Sequence, residues 1–154
     1  MVTIDDLKIL REFLGKKGID FVLTGTMGLY IYGLLPDGYE PEDIDIIIFA
    51  SEVTHQYLTD EFLTIQKLTG GPCSSENYEN ECFTFRIGPN STKVNAIMYF
   101  IESDEELNYI ELTFGKKTLK LHAVDEILRA KFRLHRVKDY KFYHELIKTI
   151  SNYV

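Results

Sequence analysis

The chain has 154 residues, of which 45% are hydrophobic and 27% are charged, and its formal net charge at pH 7 is −7. These values are typical of one soluble globular domain, and no apolar run approaches the length needed to cross a membrane. The acidic N-terminal stretch MVTIDDLK is unlike a secretory signal, so we expect a cytoplasmic protein. In that compartment, Cys73 and Cys82 are expected to be free thiols rather than a disulfide.

The charge is distributed unevenly along the chain. Residues 1–115 carry a net charge of −13, whereas residues 116–154 carry +6. The acidic body argues against a broad nucleic-acid surface. The basic C-terminal part has two interpretations: solvated helices with Lys-rich outer faces, or a basic wall that faces the phosphates of an anionic ligand.

Apolar spacing in the first half predicts alternating helices and strands. In chain order these are a helix from Thr3 to about Gly15, a strand over Phe21–Leu23, a helix over Met27–Leu34, a strand over Ile44–Phe49 and a helix over Glu52–Leu68. A polar loop is predicted to follow over Thr69–Asn80, because Gly, Pro, Ser and Asn cluster there.

The second half predicts paired strands and then helices. The sequence favours a hairpin of Cys82–Ile87 with Lys93–Phe100, short strands over Tyr109–Phe114 and Thr118–His122, and helices over Ala123–Leu134 and Lys138–Tyr153. This order indicates one α+β domain over residues 1–154 with a mixed sheet. We expect an α/β core over residues 1–122 and a C-terminal helical pair over residues 123–154.

Two carboxylates stand at the start of the most apolar strand. Asp43 and Asp45 are two residues apart, so on a strand they share a face, while the alternating isoleucines point to the other face. Neighbouring carboxylates repel, and a hard divalent cation such as Mg²⁺ or Mn²⁺ would offset that repulsion. The competing interpretation is a pair of solvated residues at a strand start.

A Gly-Thr step lies between the preceding strand and helix. Gly25 permits a close backbone approach or a positive φ, and Thr26 is expected to cap the helix through its hydroxyl. A helix start of this kind suits an anion such as phosphate. An ordinary strand-to-helix turn is the alternative.

The order of these parts resembles the nucleotidyltransferase superfamily, which has a polymerase-beta-like fold. The match is LTGTMGLYIYG followed by EDIDIIIF, and the C-terminal HAVDEILRAKFRLHRVKDY is similar to small nucleotidyltransferase-like proteins of the AbiEii toxin type. The resemblance implies a nucleotidyltransferase-like mixed sheet packed with helices. It also implies that Asp43 and Asp45 bind Mg²⁺ or Mn²⁺, and that Gly25 and Thr26 contact the triphosphate of an NTP.

The resemblance assigns phosphate-binding roles to the basic helices, at Lys131, Arg136 and Lys138. It implies transfer of a nucleoside monophosphate from the NTP to a hydroxyl acceptor on a small molecule, a protein or an RNA end. The family has a third catalytic carboxylate on the later strand KVNAIMYF, where this chain has Asn95. An amide carries no charge and cannot act as a base.

Three hypotheses therefore stand side by side. The first is a metal-dependent nucleotidyltransferase that uses Asp43, Asp45 and Asn95. The second is a catalytically inactive relative that binds nucleotides or a partner protein, for example in a toxin–antitoxin system. The third is an interaction protein unrelated to nucleotides. The four histidines are expected to be structural or surface residues.

Overall fold

The computed structural model describes residues 1–69, 81–100, 107–133, 141–142 and 144–148. Its elements are α1 (Ile4–Gly15), β1 (Val22–Thr24), α2 (Gly25–Ile31), β2 (Ile44–Ala50), α3 (His55–Thr69), β3 (Glu81–Ile87), β4 (Thr92–Phe100), β5 (Tyr109–Phe114), β6 (Lys117–His122) and α4 (Val124–Arg133). Positions 141, 142 and 144–148 are also helical, in the region predicted to form the last helix.

The six strands form one mixed sheet in the order β3-β4-β2-β1-β6-β5. The β3–β4, β1–β2 and β5–β6 pairs are antiparallel, whereas β2–β4 and β1–β6 are parallel. The α+β class with a mixed sheet is therefore confirmed. The hairpin predicted between β3 and β4 is also present, with Ile87 opposite Thr92 across the turn.

One face of the sheet supplies the main core. Ile44, Ile46 and Ile48 of β2 are at most 1% exposed and pack in one cluster with the apolar faces of α1 and α3. Stacked rings of Phe62 in α3 and Phe83 in β3, with centroids 5.7 Å apart, join helix and sheet. Since successive strand residues point to opposite faces, Asp45 projects away from this core.

Local signals explain the first helix. Thr3 caps α1, and its backbone N–H donates to Asp6 Oδ2 at 2.9 Å while the Asp6 N–H donates to Thr3 Oγ1 at 3.4 Å. This reciprocal capping satisfies two N–H groups at the helix start. Among the described residues, no helix is both long enough and apolar enough to span a bilayer.

A second, smaller cluster lies at the end of the sheet where α2 begins. It contains Leu29 of α2, Ile127 of α4 and two residues of the C-terminal helical segment, Phe142 and Leu146, all at most 3% exposed. The close packing of α2 and α4 depends on Gly28, because a Cβ there would lie 2.9 Å from Ile127 Cδ1. This cluster positions α4 beside the start of α2.

Candidate functional site

Four strands bring polar side chains into one line across the sheet. The register places Thr84 opposite Asn95, Asn95 opposite Asp45, and Asp45 opposite Thr24. His122 extends the line, because its Nδ1 lies 2.9 Å from Thr24 Oγ1. We call these five residues the polar row. Four of them are buried, at 4% to 7% exposed, and Asp45 is half-buried.

The two carboxylates lie side by side, as their spacing predicts. Asp43 immediately precedes β2, and Asp45 is its second residue. The amide nitrogen of Asn95 donates to Asp45 Oδ1 at 2.9 Å and to Asp43 Oδ2 at 3.2 Å. A single neutral group thus bridges both carboxylates and offsets part of their mutual repulsion.

The orientation of Asn95 is fixed by its other neighbour. Its Oδ1 accepts a hydrogen bond from Thr84 Oγ1 at 2.9 Å, so the amide nitrogen faces the carboxylates. Turning the amide over would place its oxygen against two anions, which is unfavourable. Asn95 therefore acts as a hydrogen-bond donor where the resemblance implies a third catalytic carboxylate.

Gly25 is required by both its backbone and its surroundings. Its φ is +67°, a conformation that residues with a Cβ rarely adopt. A Cβ at this position would lie 2.5 Å from Asp45 Oδ2 and 3.0 Å from Asp45 Cβ. The start of α2 therefore approaches the Asp45 carboxylate as closely as only a glycine allows.

The prediction that Thr26 caps the helix is wrong. The helix begins at Gly25, two residues earlier than predicted, and Thr24 is the N-cap residue. The Thr24 side chain makes no capping hydrogen bond, because its hydroxyl pairs with His122. Thr26 lies in the first turn, where its Oγ1 accepts a hydrogen bond from Lys131 Nζ at 2.9 Å.

Lys131 is brought to the site by α4. Its ammonium group bonds to Thr26 and also lies 5.2 Å from the ring centroid of Phe142, a distance typical of a cation–π contact. Thr26 follows Gly25, which contacts Asp45. The structure therefore brings together Gly25, Thr26, Asp43, Asp45, Asn95 and Lys131 of the predicted site.

The other predicted phosphate-binding residues, Arg136 and Lys138, lie outside the described residues. Cys73 also lies outside them, whereas Cys82 is described and is disulfide-bonded. The prediction of a free thiol is therefore wrong for Cys82. Composition contains no information on the pairing geometry that a disulfide needs.

His122 was not predicted as part of the site. Burial lowers the pKa of its imidazole, although the carboxylates of Glu126 and Asp125 act in the opposite direction. Its backbone carbonyl accepts a hydrogen bond from the Tyr32 hydroxyl at 2.7 Å, which ties β6 to the end of α2. The only sequence signal for His122 is its place at the end of an alternating strand, and this signal does not identify its neighbours.

The side chains available as metal ligands suit one cation better than two. Within the described part of the chain, no group of three or more His, Cys, Asp or Glu side chains is arranged to hold a metal ion. Asp43 and Asp45 are two half-buried carboxylates on one face, which is a sufficient protein contribution for one Mg²⁺ that keeps water or phosphate ligands. A second cation would need a further charged ligand, and the neutral amide of Asn95 does not provide one.

Comparison with known proteins gives no family assignment. No family model and no curated protein matches the chain. The functional interpretation therefore depends on the residues of the site and their geometry.

Proposed function

We propose that this protein binds a nucleoside triphosphate with one divalent cation and transfers its nucleoside monophosphate to a hydroxyl acceptor. The observation that carries the proposal is the pair Asp43 and Asp45, held side by side by Asn95 at the end of the sheet where α2 begins. Gly25 lies against Asp45, and Lys131 reaches the neighbouring Thr26. A carboxylate pair beside a cationic side chain suits a metal–triphosphate ligand.

In this proposal the acidic residues bind the cation and the basic residue binds the phosphates. Asp43 and Asp45 would hold Mg²⁺ or Mn²⁺, which when bound neutralises phosphate charge and polarises the phosphoryl oxygens. Lys131 would bind phosphate oxygens as a point charge. Thr26, directly after Gly25, binds the ammonium group of Lys131, and Gly25 lies against Asp45 because it lacks a side chain.

The transfer itself is a substitution at phosphorus. The acceptor oxygen forms a bond to the α-phosphorus while the bond to the bridging oxygen breaks, and pyrophosphate leaves with that electron pair. The hydroxyl proton passes to a carboxylate of the pair or to water, since the amide of Asn95 cannot accept it. Positioning of the two substrates, together with electrostatic stabilisation of the phosphoryl oxygens, provides most of the rate enhancement in such reactions.

A nucleotide-binding protein without turnover is the second candidate function. The observation in its favour is the orientation of Asn95, which presents a donor to the carboxylates and is 5% exposed. Such a site would hold a nucleotide and one cation but would lack the third carboxylate that the family uses to activate the acceptor. The protein would then act as a sensor or bind a partner protein.

Titration calorimetry with ATP and Mn²⁺ tests the binding that both candidates share. We expect saturable, Mn²⁺-dependent binding that is at least 10-fold weaker in D45N. Asp37 provides the matched control, because it is an exposed carboxylate in the turn before β2, and D37N should bind like the wild type. Absence of nucleotide and metal binding in the folded wild type would leave only the interaction protein unrelated to nucleotides.

Asn95→Asp separates the enzyme from the binding protein. Transfer of labelled nucleoside monophosphate by the wild type would exclude the inactive module. Activity that appears only in N95D would show that the chain has lost turnover through this one residue. The variant loses the amide hydrogen bonds to Asp43 and Asp45, so its folding should be checked in the presence of Mn²⁺.

A further inference from the structure

A cleft of about 640 Å³ adjoins Asp43 on the β4–β3 side of β2. One wall contains Glu42 and Asp43, which lead into β2, and the other comes from the β3–β4 hairpin with Arg86, Ser91 and Lys93. Val2 also lines the cleft, and its N–H donates to Pro41 O at 3.0 Å, which fixes the chain before β2. A cleft of this volume suits a small molecule rather than a polymer strand.

The register places the cleft in continuity with the site. Lys93 is opposite Arg86, and it lies one position before Val94, which pairs with Ile44. Lys93 is therefore beside Asp43, on the face that also carries Asp45 and Asn95. Asp43, Lys93 and Arg86 therefore form a second line of side chains across the sheet. This line lies about 7 Å along the strands from the polar row.

The hairpin wall presents two positive charges to the cleft. Both Arg86 and Lys93 are exposed, and neither forms an ion pair with another described residue. Arg86 Nη1 donates to the backbone carbonyl of Ser91 at 3.0 Å, which holds the guanidinium over the turn. The opposite wall is acidic through Glu42 and Asp43, so an anion in the cleft is directed to the hairpin side.

Cationic groups thus flank the carboxylates from two directions. In the sheet order, β2 lies between β4 and β1. Lys131 approaches from the β1–α2 side, where it bonds to Thr26, and Lys93 and Arg86 approach from the β4–β3 side. A single triphosphate needs only one of these two directions, so the second is available to another anion.

We infer that the hairpin cleft binds the phosphate group of a small phosphorylated alcohol, which serves as the acceptor. The inference rests on the proposed function, because it assigns the Lys131 side to the triphosphate. Two cationic side chains match a phosphate monoester, which carries nearly two negative charges at neutral pH, better than a carboxylate, which carries one. The acceptor hydroxyl would then lie on the Asp43 side of the cleft.

The test uses NMR titration of the ¹⁵N-labelled wild type with glycerol 3-phosphate, without nucleotide or metal. We expect saturable shifts of the Ser91 and Lys93 amides, and a dissociation constant raised at least 10-fold in R86Q/K93Q. The matched control is K116Q/K117Q, which removes two exposed positive charges at the β5–β6 turn and should leave binding unchanged. K93Q alone retains the Arg86–Ser91 bond and should weaken binding at least 3-fold.

Several results would overturn the inference. One is equal weakening in both double variants, which would show only a general charge effect. Another is acetate binding as tight as that of glycerol 3-phosphate, which would remove the preference for phosphate. Calorimetry with ATP and Mn²⁺ on R86Q/K93Q distinguishes the two proposals. If this variant binds ATP but the wild type does not bind glycerol 3-phosphate, only the inference about the cleft is overturned. Phosphate binding in a wild type that binds no nucleotide overturns the proposed function and, with it, the acceptor role.

Discussion

Asn95 shows how one neutral side chain changes the chemistry of the site. A carboxylate at its position would present a third negative charge to Asp43 and Asp45, and in the absence of cations the three would repel one another. The amide instead donates to both carboxylates and accepts from Thr84. These hydrogen bonds hold the two carboxylates side by side and satisfy the amide of the buried Asn95.

Gly25→Ala should disturb the site through both strain and contact. Gly25 and Gly33 share a left-handed backbone, with φ of +67° and +73°, but a Cβ at Gly33 meets nothing within 4 Å. We expect G33A to lower the free energy of unfolding by about 1 kcal/mol through strain alone. G25A should lower it by about 2–3 kcal/mol, because its Cβ also displaces Asp45.

Urea denaturation of both glycine variants measures this difference, and calorimetry with Mn²⁺ measures its effect on the site. Cation binding should weaken in G25A and remain unchanged in G33A. Equal stability losses with equal cation affinities would show that the close approach of Gly25 to Asp45 has no role.

His122 should make stability depend on pH. Burial lowers its pKa in the folded state below the ordinary value of about 6.5, so at acid pH the unfolded chain binds the proton more readily. The free energy of unfolding is therefore expected to fall as the pH drops below about 6.5, by up to about 1.4 kcal/mol per pH unit. The loss continues until the pH reaches the folded-state pKa.

The measurement compares urea denaturation of the wild type and H122Q between pH 7.5 and pH 5. In H122Q, the free energy of unfolding should lack the part of its pH dependence that begins near the ordinary histidine pKa. H144Q provides the control, because His144 is exposed, and it should retain the wild-type slope. An unchanged slope in H122Q would show that other groups account for the pH dependence.

At the scale of elements, α3 protects the edge of the sheet. β3 is an edge strand, and edge strands expose N–H groups that invite pairing with other chains. Two side chains of α3 accept from that edge: Gln66 Oε1 binds the Thr84 N–H at 2.9 Å, and Thr69 Oγ1 binds the Arg86 N–H at 3.1 Å. The strand that carries Thr84 of the polar row is thereby fixed on its outer side.

Gln66→Ala should destabilise the protein by about 1–3 kcal/mol, since it leaves the N–H of the buried Thr84 without its partner. Gln56 is the matched control in the same helix, because its side chain is exposed and bonds only to Asp60 among the described residues. Q56A should cost less than about 0.5 kcal/mol. Thermal denaturation checks both values, and equal losses would contradict the edge-protection role.

At the scale of the whole molecule, two separate clusters support the two sides of the site. The larger cluster holds the sheet against α1 and α3 and thereby fixes the carboxylates. The smaller cluster joins α2, α4 and the C-terminal helical segment, and thereby fixes Lys131. Binding of a ligand that contacts both sides depends on both clusters, although they share no buried residue.

Leu146→Ala should separate these two contributions. Leu146 is 3% exposed in the smaller cluster and Leu14 is 0% exposed in the larger one, so each Leu→Ala change should cost about 2–5 kcal/mol. L146A is expected to weaken ATP binding more than L14A, because it loosens the small cluster that positions α4, whereas many other buried side chains still pack around Leu14. Calorimetry at low temperature, where both variants are folded, checks this, and equal nucleotide affinities would contradict the assignment.

The sequence alone determined the local features of this protein. Period-two spacing placed Asp43 and Asp45 on one face, and turn residues defined the β3–β4 hairpin, because both depend on neighbouring residues only. The boundary of α2 was missed, since the residue that precedes the helix uses its hydroxyl to pair with a distant histidine. Local capping preferences contain no information about such a competing partner.

Tertiary structure decided how these features combine. The contact of Asn95 with Asp45 spans 50 residues, and that of Lys131 with Thr26 spans 105. Neither the sheet order nor the cleft between Asp43 and the Arg86–Lys93 wall follows from local periodicity, because strand order depends on which distant apolar faces pack together. The sequence supplied the charged groups, and long-range strand pairing determined which of them face one another.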